Sequence, residues 1–180
     1  MDIEFEAKII KINKDEVRVK LKQIEAELVF SEKLFTRATY DNPELKSKGA
    51  WIRLRDEGGK ITLALKQVSN GKSVDGTREI SFNVSDFNQA DKFIINLGYT
   101  KNNLQQNYRE EWKINDAVFD IDTWPMIDPW LEIEAQNEET VKKYFQILGF
   151  DFSQAMYGSA DIVYRDVYGI DILKISKLEF

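Results

Sequence analysis

The chain has 180 residues, 43% hydrophobic and 31% charged, which suits one folded domain with a sizeable core, or two small ones, and excludes a disordered segment. It contains neither Cys nor His; disulfides, thiolate chemistry, His-based triads and typical zinc sites are excluded, so any metal would be a hard cation such as Mg²⁺ or Mn²⁺ on oxygen ligands. The net charge of −6 argues against bulk nucleic-acid binding but leaves room for a local basic site.

The first predicted element is a strand over "EFEAKII", in which Glu4, Glu6 and Lys8 share one face and Phe5 and Ala7 the other. Asn13 then caps a helix running to about Glu25, with Glu16 completing a capping box and Val17, Leu21 and Ile24 on the buried stripe. β-rich segments follow at "LFTRATYD", "AWIRLRDE", "KITLALKQV" and "TREISFNV"; the second and third read as a hairpin through "DEGGK", and "SNGKSVDG" is a further turn. Ser85 or Asp86 caps a helix with Phe87, Ala90, Ile94 and Leu97 inside and Gly98 at its stop. "QQNYREEWKI" and "DAVFDIDTW" form a second hairpin through "KINDA", and "PWLEIEAQ" is the next strand. Asn137 opens a helix with Val141, Tyr144, Phe145 and Leu148 inside and Gly149 at the stop, and Ser159 caps a shorter one over "SADIVYRDVYG". About eight antiparallel strands with a few helices indicate an α+β barrel or sandwich, and no Pro-, Gly- or Ser-rich linker divides the chain.

A weak internal repeat joins "REISFNVSDFNQADKFIINLGY" to "LEIEAQNEETVKKYFQILGF", with "EFEAKIIKINKDEVRVKLKQIEAEL" as a looser third copy. No apolar run is long enough to span a bilayer and no hydrophobic leader follows Met1, so the expected setting is cytoplasmic, without membrane or nucleic-acid partners.

Strand parity sorts the charges. Arg53 and Arg55 oppose Ile52 and Leu54; Lys66 opposes Leu65; Asp120 and Asp122 oppose Phe119 and Ile121; Glu132 and Glu134 oppose Leu131 and Ile133. In an ordinary antiparallel sheet such faces meet water. In a closed barrel with its apolar faces turned out under helices, they would instead line a tunnel, where charges must pair or bind ions. The strand bases are mostly Arg, which suits bidentate contact with phosphate, and the acids come as E-x-E or D-x-D pairs that aim two carboxylates at one cation.

The ordered set of motifs resembles the CYTH superfamily, or triphosphate tunnel metalloenzymes, which include class IV adenylyl cyclases, thiamine triphosphatases and inorganic triphosphatases. "EFEAK" is similar to its E-x-E-x-K signature, "RLR" with "TLALK" to its R-x-R hairpin and following Lys, and "RE" in "TREIS", Arg109 in "YRE", "DID" and "EIE" continue the series. The resemblance covers Glu4 to Glu134. It implies an eight-stranded antiparallel tunnel with helices packed outside, as one domain over residues 1–180. It implies Glu4, Glu6, Asp120, Asp122, Glu132 and Glu134 as ligands for Mg²⁺ or Mn²⁺. Lys8, Arg53, Arg55, Lys66 and Arg109 would grip and neutralise a small-molecule triphosphate, with Arg78 as a further contact; Glu79 matches an acid of the family pattern or would pair with Arg78 or Arg109. The pattern departs at Ser81, where an acid is usual, at Asn107, where a Lys is usual, and in "GSADIVY", where Arg165 or Lys174 would supply the missing base. The expected function is hydrolysis of inorganic, nucleoside or thiamine triphosphate, by a monomer or homodimer. A class IV adenylyl cyclase and a non-catalytic polyphosphate or nucleotide sensor are the alternatives. Trp124 and Trp130 in "DTWPMIDPW" either wall the tunnel mouth against an organic ring or pack beneath a helix.

Overall fold

The computed structural model describes residues 1–69 and 71–180. Its elements are β1 (Asp2–Ile10), α1 (Lys14–Gln23), β2 (Glu27–Asp41), α2 (Pro43–Ser47), β3 (Ala50–Asp56), β4 (Ile61–Val68), β5 (Thr77–Val84), α3 (Phe87–Asn96), β6 (Thr100–Ile114), β7 (Ala117–Thr123), β8 (Trp130–Ala135), α4 (Glu138–Ile147), α5 (Ala160–Tyr168) and β9 (Lys177–Leu178). Eight strands run antiparallel in the order β2-β3-β4-β5-β1-β8-β7-β6, and β2 pairs with β6 to close the barrel. β9 adds two residues beside β6, in parallel.

Local chemistry sets the element ends. The Asn13 side chain accepts from the backbone N–H groups of Asp15 and Glu16, and α1 stops at Gln23, two residues before the left-handed Glu25 at φ 61°. Asp86, rather than Ser85, caps α3, and Asn137 caps α4. In the β3–β4 turn, Gly58 and Gly59 take positive φ while both of their N–H groups donate to Asp56. Asn115 at φ 51° makes the tight β6–β7 turn. The turn expected at residues 69–76 includes Asn70, which lies outside the described residues; at its ends Ser69 donates to the Gly76 carbonyl at 2.9 Å.

Three differences from the sequence reading have physical causes. β2 and β6 run 15 residues each, because their ladder closes the barrel and extends pairing through polar stretches lacking clean alternation. The short α2 was not expected; Pro43 at its first position and the Asn42 cap nucleate it. Leu97, expected inside, is largely exposed.

The apolar strand faces turn outward. On β1, β7 and β8, Ala7, Ile9, Phe119, Ile121, Leu131 and Ile133 are buried under α1 and α4, against Val17, Leu21, Val141 and Phe145. α3 covers Ala38, Tyr40 and Leu54 of β2 and β3. α5 lies with Val163 and Tyr164 against Trp124 and Trp130. Each of the larger aliphatic and Phe side chains contributes about 1.5–3 kcal/mol on burial, enough together to fix the apolar parity outward. Period two then sends the charged parity toward the axis.

The topology explains the repeat. The segments β1-α1-β2-β3-β4 and β5-α3-β6-β7-β8 exchange places without changing the cyclic strand order. The structural repeat therefore matches "REISF…" to "EFEAK…", the looser pair, while β8-α4 stands outside it.

Candidate active site in the barrel

The interior is a cavity of about 870 Å³ whose lining mixes many charged and polar side chains with apolar ones such as Trp51, Trp124 and Trp130. Its walls are sorted by charge. Arg37 on β2, Arg53 and Arg55 on β3 and Lys66 on β4 form a basic wall; Glu4 and Glu6 on β1, Glu132 and Glu134 on β8, and Asp120 and Asp122 on β7 form an acidic wall opposite. Register sets the neighbours: Lys8 lies beside Glu132, Glu6 beside Glu134, Arg55 beside Arg37, and Lys66 beside Glu79.

Two bases sit inside the acidic wall. Lys8 Nζ lies 2.8 Å from Glu132 and 3.5 Å from Glu6; burial works to lower its pKa, but these carboxylates outweigh burial and hold it above the ordinary lysine value. Arg109 donates to both oxygens of Asp122, from Nε at 2.7 Å and Nη2 at 2.5 Å, and also to Asp120 and Glu132. One acid sits in the basic wall: Glu79 accepts from Arg53 at 3.1 Å and lies 2.7 Å from Lys66. Burial would raise Glu79, yet Arg53 and Lys66 bring it down to about 2. Arg55 is held by Glu57 at 2.5 Å.

The remaining acids repel one another. Burial first, then Glu6 and Glu79, lift Glu4 to about 7 despite Lys66 at 2.9 Å. Burial, Glu132 and Glu6 also raise Glu134. Burial raises Asp120, whose Oδ1 has no hydrogen-bond partner. Among the described residues no three acids converge as a preassembled cation cage. The donor chemistry nonetheless fits a hard divalent ion: all-oxygen ligands, two carboxylates directly across a ladder at Glu6 and Glu134, and an unused buried lone pair on Asp120. Asp122 fits less well, since Arg109 and Asn107 already engage it.

Every sequence-predicted site residue lines the cavity except Arg78. Arg78 is exposed on the outer surface of β5. Thr77 and Glu79 point inward, so alternation turns Arg78 out; "RE" cannot place both charges on one face. Of the two carboxy-terminal bases, Arg165 lines the cavity and Lys174, paired with Asp171 on the surface, does not. Trp124 and Trp130 satisfy both readings. Their stacked rings, 5.6 Å apart, pack with Tyr164 of α5 and also line the cavity.

Arg37 was missed, and its signal lay in the parity of "LFTRATYD", where it shares a face with Phe35, Thr39 and Asp41. It lies over Trp124 at 4.6 Å from the ring centroid and donates to Asn107 Oδ1; Asn107 Nδ2 in turn donates to Asp122 at 2.8 Å. Its Nε has no partner. Burial, then Arg55, Arg53 and Arg109, depress its pKa well below the usual arginine value. Asn107, where a Lys was expected, thus links the Arg37 guanidinium of β2 to the Asp122 carboxylate of β7.

A family model described as the CYTH domain matches residues 2–165. No curated protein gives a significant match. Among solved structures, an adenylate cyclase candidate from Vibrio parahaemolyticus superposes with a TM-score of 0.75 at 19% identity, covering 94% of this chain and 99% of that one. The PH1012 protein of Pyrococcus horikoshii OT3 gives 0.71 at 21% identity, over 85% of this chain and 94% of that one. The adenylyl cyclase candidate HpAC1 from Hippeastrum, described as having a dominant triphosphatase activity, gives 0.60 at 15% identity, over 93% and 96%. At these identities the likeness establishes the barrel fold.

Proposed function

The chain belongs to the CYTH domain family, and from that premise we propose that it is a divalent-metal-dependent triphosphatase acting on a small-molecule triphosphate inside the barrel. The observation that carries this reading is the basic wall: Arg37, Arg53, Arg55 and Lys66 converge on one cavity, facing carboxylates across it. Arginine guanidinium groups there can each donate two bonds to phosphoryl oxygens.

Phosphoryl transfer depends on positioning and charge neutralisation more than on covalent chemistry. The basic wall would bind the phosphate chain and stabilise charge developing on its oxygens. Glu4, Glu6, Glu132 and Glu134, with Asp120, would hold Mg²⁺ or Mn²⁺, which supplies Lewis-acid activation of the phosphate and of water. Lys8 and Arg109 keep the acidic wall from collapsing under its own repulsion, and Arg109 also fixes Asp120 and Asp122 in place. The arrival of Arg37 at Asn107 supports a working site over a sensor, because the base lost from β6 is replaced from β2.

The cavity-lining pair Trp124 and Trp130 favours a second reading, an adenylyl cyclase that holds a base at that end. A panel of tripolyphosphate, ATP, GTP and thiamine triphosphate with Mg²⁺ or Mn²⁺ tests both. Release of orthophosphate is expected. Cyclic AMP with pyrophosphate would establish the cyclase, tight binding without turnover the sensor, and neither binding nor turnover would refute all three. Glu6→Ala should abolish metal-dependent turnover with little loss of stability.

A further inference from the structure

We propose that Glu57, in the turn between β3 and β4, is a positioning residue for phosphate binding: it holds the Arg55 guanidinium by one edge and so leaves the other edge for the substrate. The inference rests on the triphosphate reading above, in which Arg55 contacts the phosphate chain. Arg55 lines the cavity and Glu57 does not.

A single oxygen, Glu57 Oε1, accepts from Arg55 Nε at 2.9 Å and from Arg55 Nη2 at 2.5 Å, and also from Thr62 Oγ1 at 3.0 Å. Thr62 lies opposite Arg55 on the β3–β4 ladder, so Glu57 ties both strands to the turn. The turn is closed in its own backbone, where Glu57 N–H donates to the Lys60 carbonyl at 2.8 Å. Burial works to raise the pKa of the Glu57 carboxyl, but Arg55 and the bonds from Arg55 and Thr62 outweigh it and hold that pKa below the ordinary value. One face of the guanidinium lies over Phe35, 5.2 Å from the ring centroid, and Phe35 is itself buried. Plane and edge are thus both fixed. Glu57 takes the Nε edge; among the described residues the Nη1 donors have no protein partner and remain for a phosphoryl oxygen.

The other cations of the basic wall are held differently. Arg53 and Lys66 share Glu79, and Lys66 also meets Glu4. Both of those acids line the cavity, where they compete with an incoming phosphate for the same donors. Glu57 engages Arg55 without standing among the lining residues. Arg55 is also directly opposite Arg37 across the β2–β3 ladder, and among the described residues Glu57 is the one carboxylate in ion-pair contact with either. Without Glu57 the two cations repel, and Arg55 regains rotamers that must be lost again when phosphate binds.

A double-mutant cycle on inorganic tripolyphosphate tests the proposal, read as the dissociation constant in EDTA by calorimetry or as kcat/KM with Mn²⁺. Glu57→Ala should weaken binding or lower kcat/KM by about two- to tenfold, the penalty for immobilising one long side chain at binding. Glu57→Gln, whose amide oxygen still accepts from Arg55, should recover part of that loss. In an Arg55→Met background, Glu57→Ala should cause no further loss. A carboxylate that only braces the hairpin would lower urea stability in both backgrounds without this coupling. If its negative charge mattered more than its grip, Glu57→Ala and Glu57→Gln would both bind tripolyphosphate more tightly. Tighter binding in both, or an equal loss with and without Arg55, would overturn the proposal. A wild-type chain that neither binds nor hydrolyses tripolyphosphate would instead overturn the triphosphatase reading, and this inference with it.

Discussion

Replacing Arg37 with Met should make the protein slightly more stable and much less active. Arg37 is 8% exposed, and its guanidinium stands beside Arg53, Arg55 and Arg109. Burying a cation costs several kcal/mol after relaxation. Against that, Arg37 gains a charged hydrogen bond to Asn107, about 1.5–3 kcal/mol, and a desolvated contact with Trp124, up to about 2 kcal/mol. Met retains contact with the indole and removes both the desolvation cost and the repulsion, but leaves Asn107 Oδ1 unpaired. The balance favours the variant by roughly 1 kcal/mol, or a Tm rise of about 2–4 °C. In the occupied site the same cation would make a charge-assisted bond to phosphate, about 1.5–3 kcal/mol, so kcat/KM should fall on the order of 10- to 150-fold. Urea denaturation and steady-state kinetics, both with the divalent metal held constant, read the two effects. A variant destabilised by more than about 2 kcal/mol would make Arg37 a structural strut, and unchanged kcat/KM would remove it from the site.

Arg109→Met should behave in the opposite way. It strands Asp120 and Asp122 without their cation, leaving Glu132 to Lys8 alone, and breaking a buried pair in this manner costs about 3–5 kcal/mol; urea titration measures the loss, and a neutral result would show that the acids need no internal partner. Glu4 has a pKa of about 7 in the fold against an ordinary 4.5. The folded state therefore binds more protons between these values, and metal-free stability should fall as pH rises from 4.5 to 7. Glu4→Gln should flatten that slope in EDTA, and an unchanged slope would place the titration elsewhere. Glu79, depressed to about 2, has the opposite sign: its contribution is complete above 4.5 and is lost as pH falls toward 2. Asn13→Ala should cost about 1 kcal/mol by removing the α1 cap, with turnover unaffected because α1 lies outside the barrel; a drop in kcat would couple that helix to the site.

Short-range chemistry was legible in the sequence because it depends on a few adjacent residues. Asn13, Asp86 and Asn137 begin helices by accepting from N–H groups two or three positions on. Gly58 and Gly59 turn one hairpin because positive φ costs them nothing. Alternation divided Arg53, Arg55, Lys66, Glu132 and Glu134 from their apolar neighbours. Applied strictly, the same rule would also have included Arg37 and removed Arg78.

Alternation names two faces but not which one faces the interior, and that choice belonged to the tertiary structure. Closure of β2 on β6 made the charged parity concave, while α1, α3 and α4 covered most of the apolar parity. Closure also brought together residues distant in the chain: Glu6 beside Glu134, Lys66 beside Glu79, and Arg37 linked through Asn107 to Asp122. Those neighbours set the charge state of each group, because inside a barrel field strength depends on distance and burial rather than on residue type. Sequence alone therefore determined the local elements and the two faces of each strand; only the closed sheet decided which of those faces lines the interior and which charges meet there.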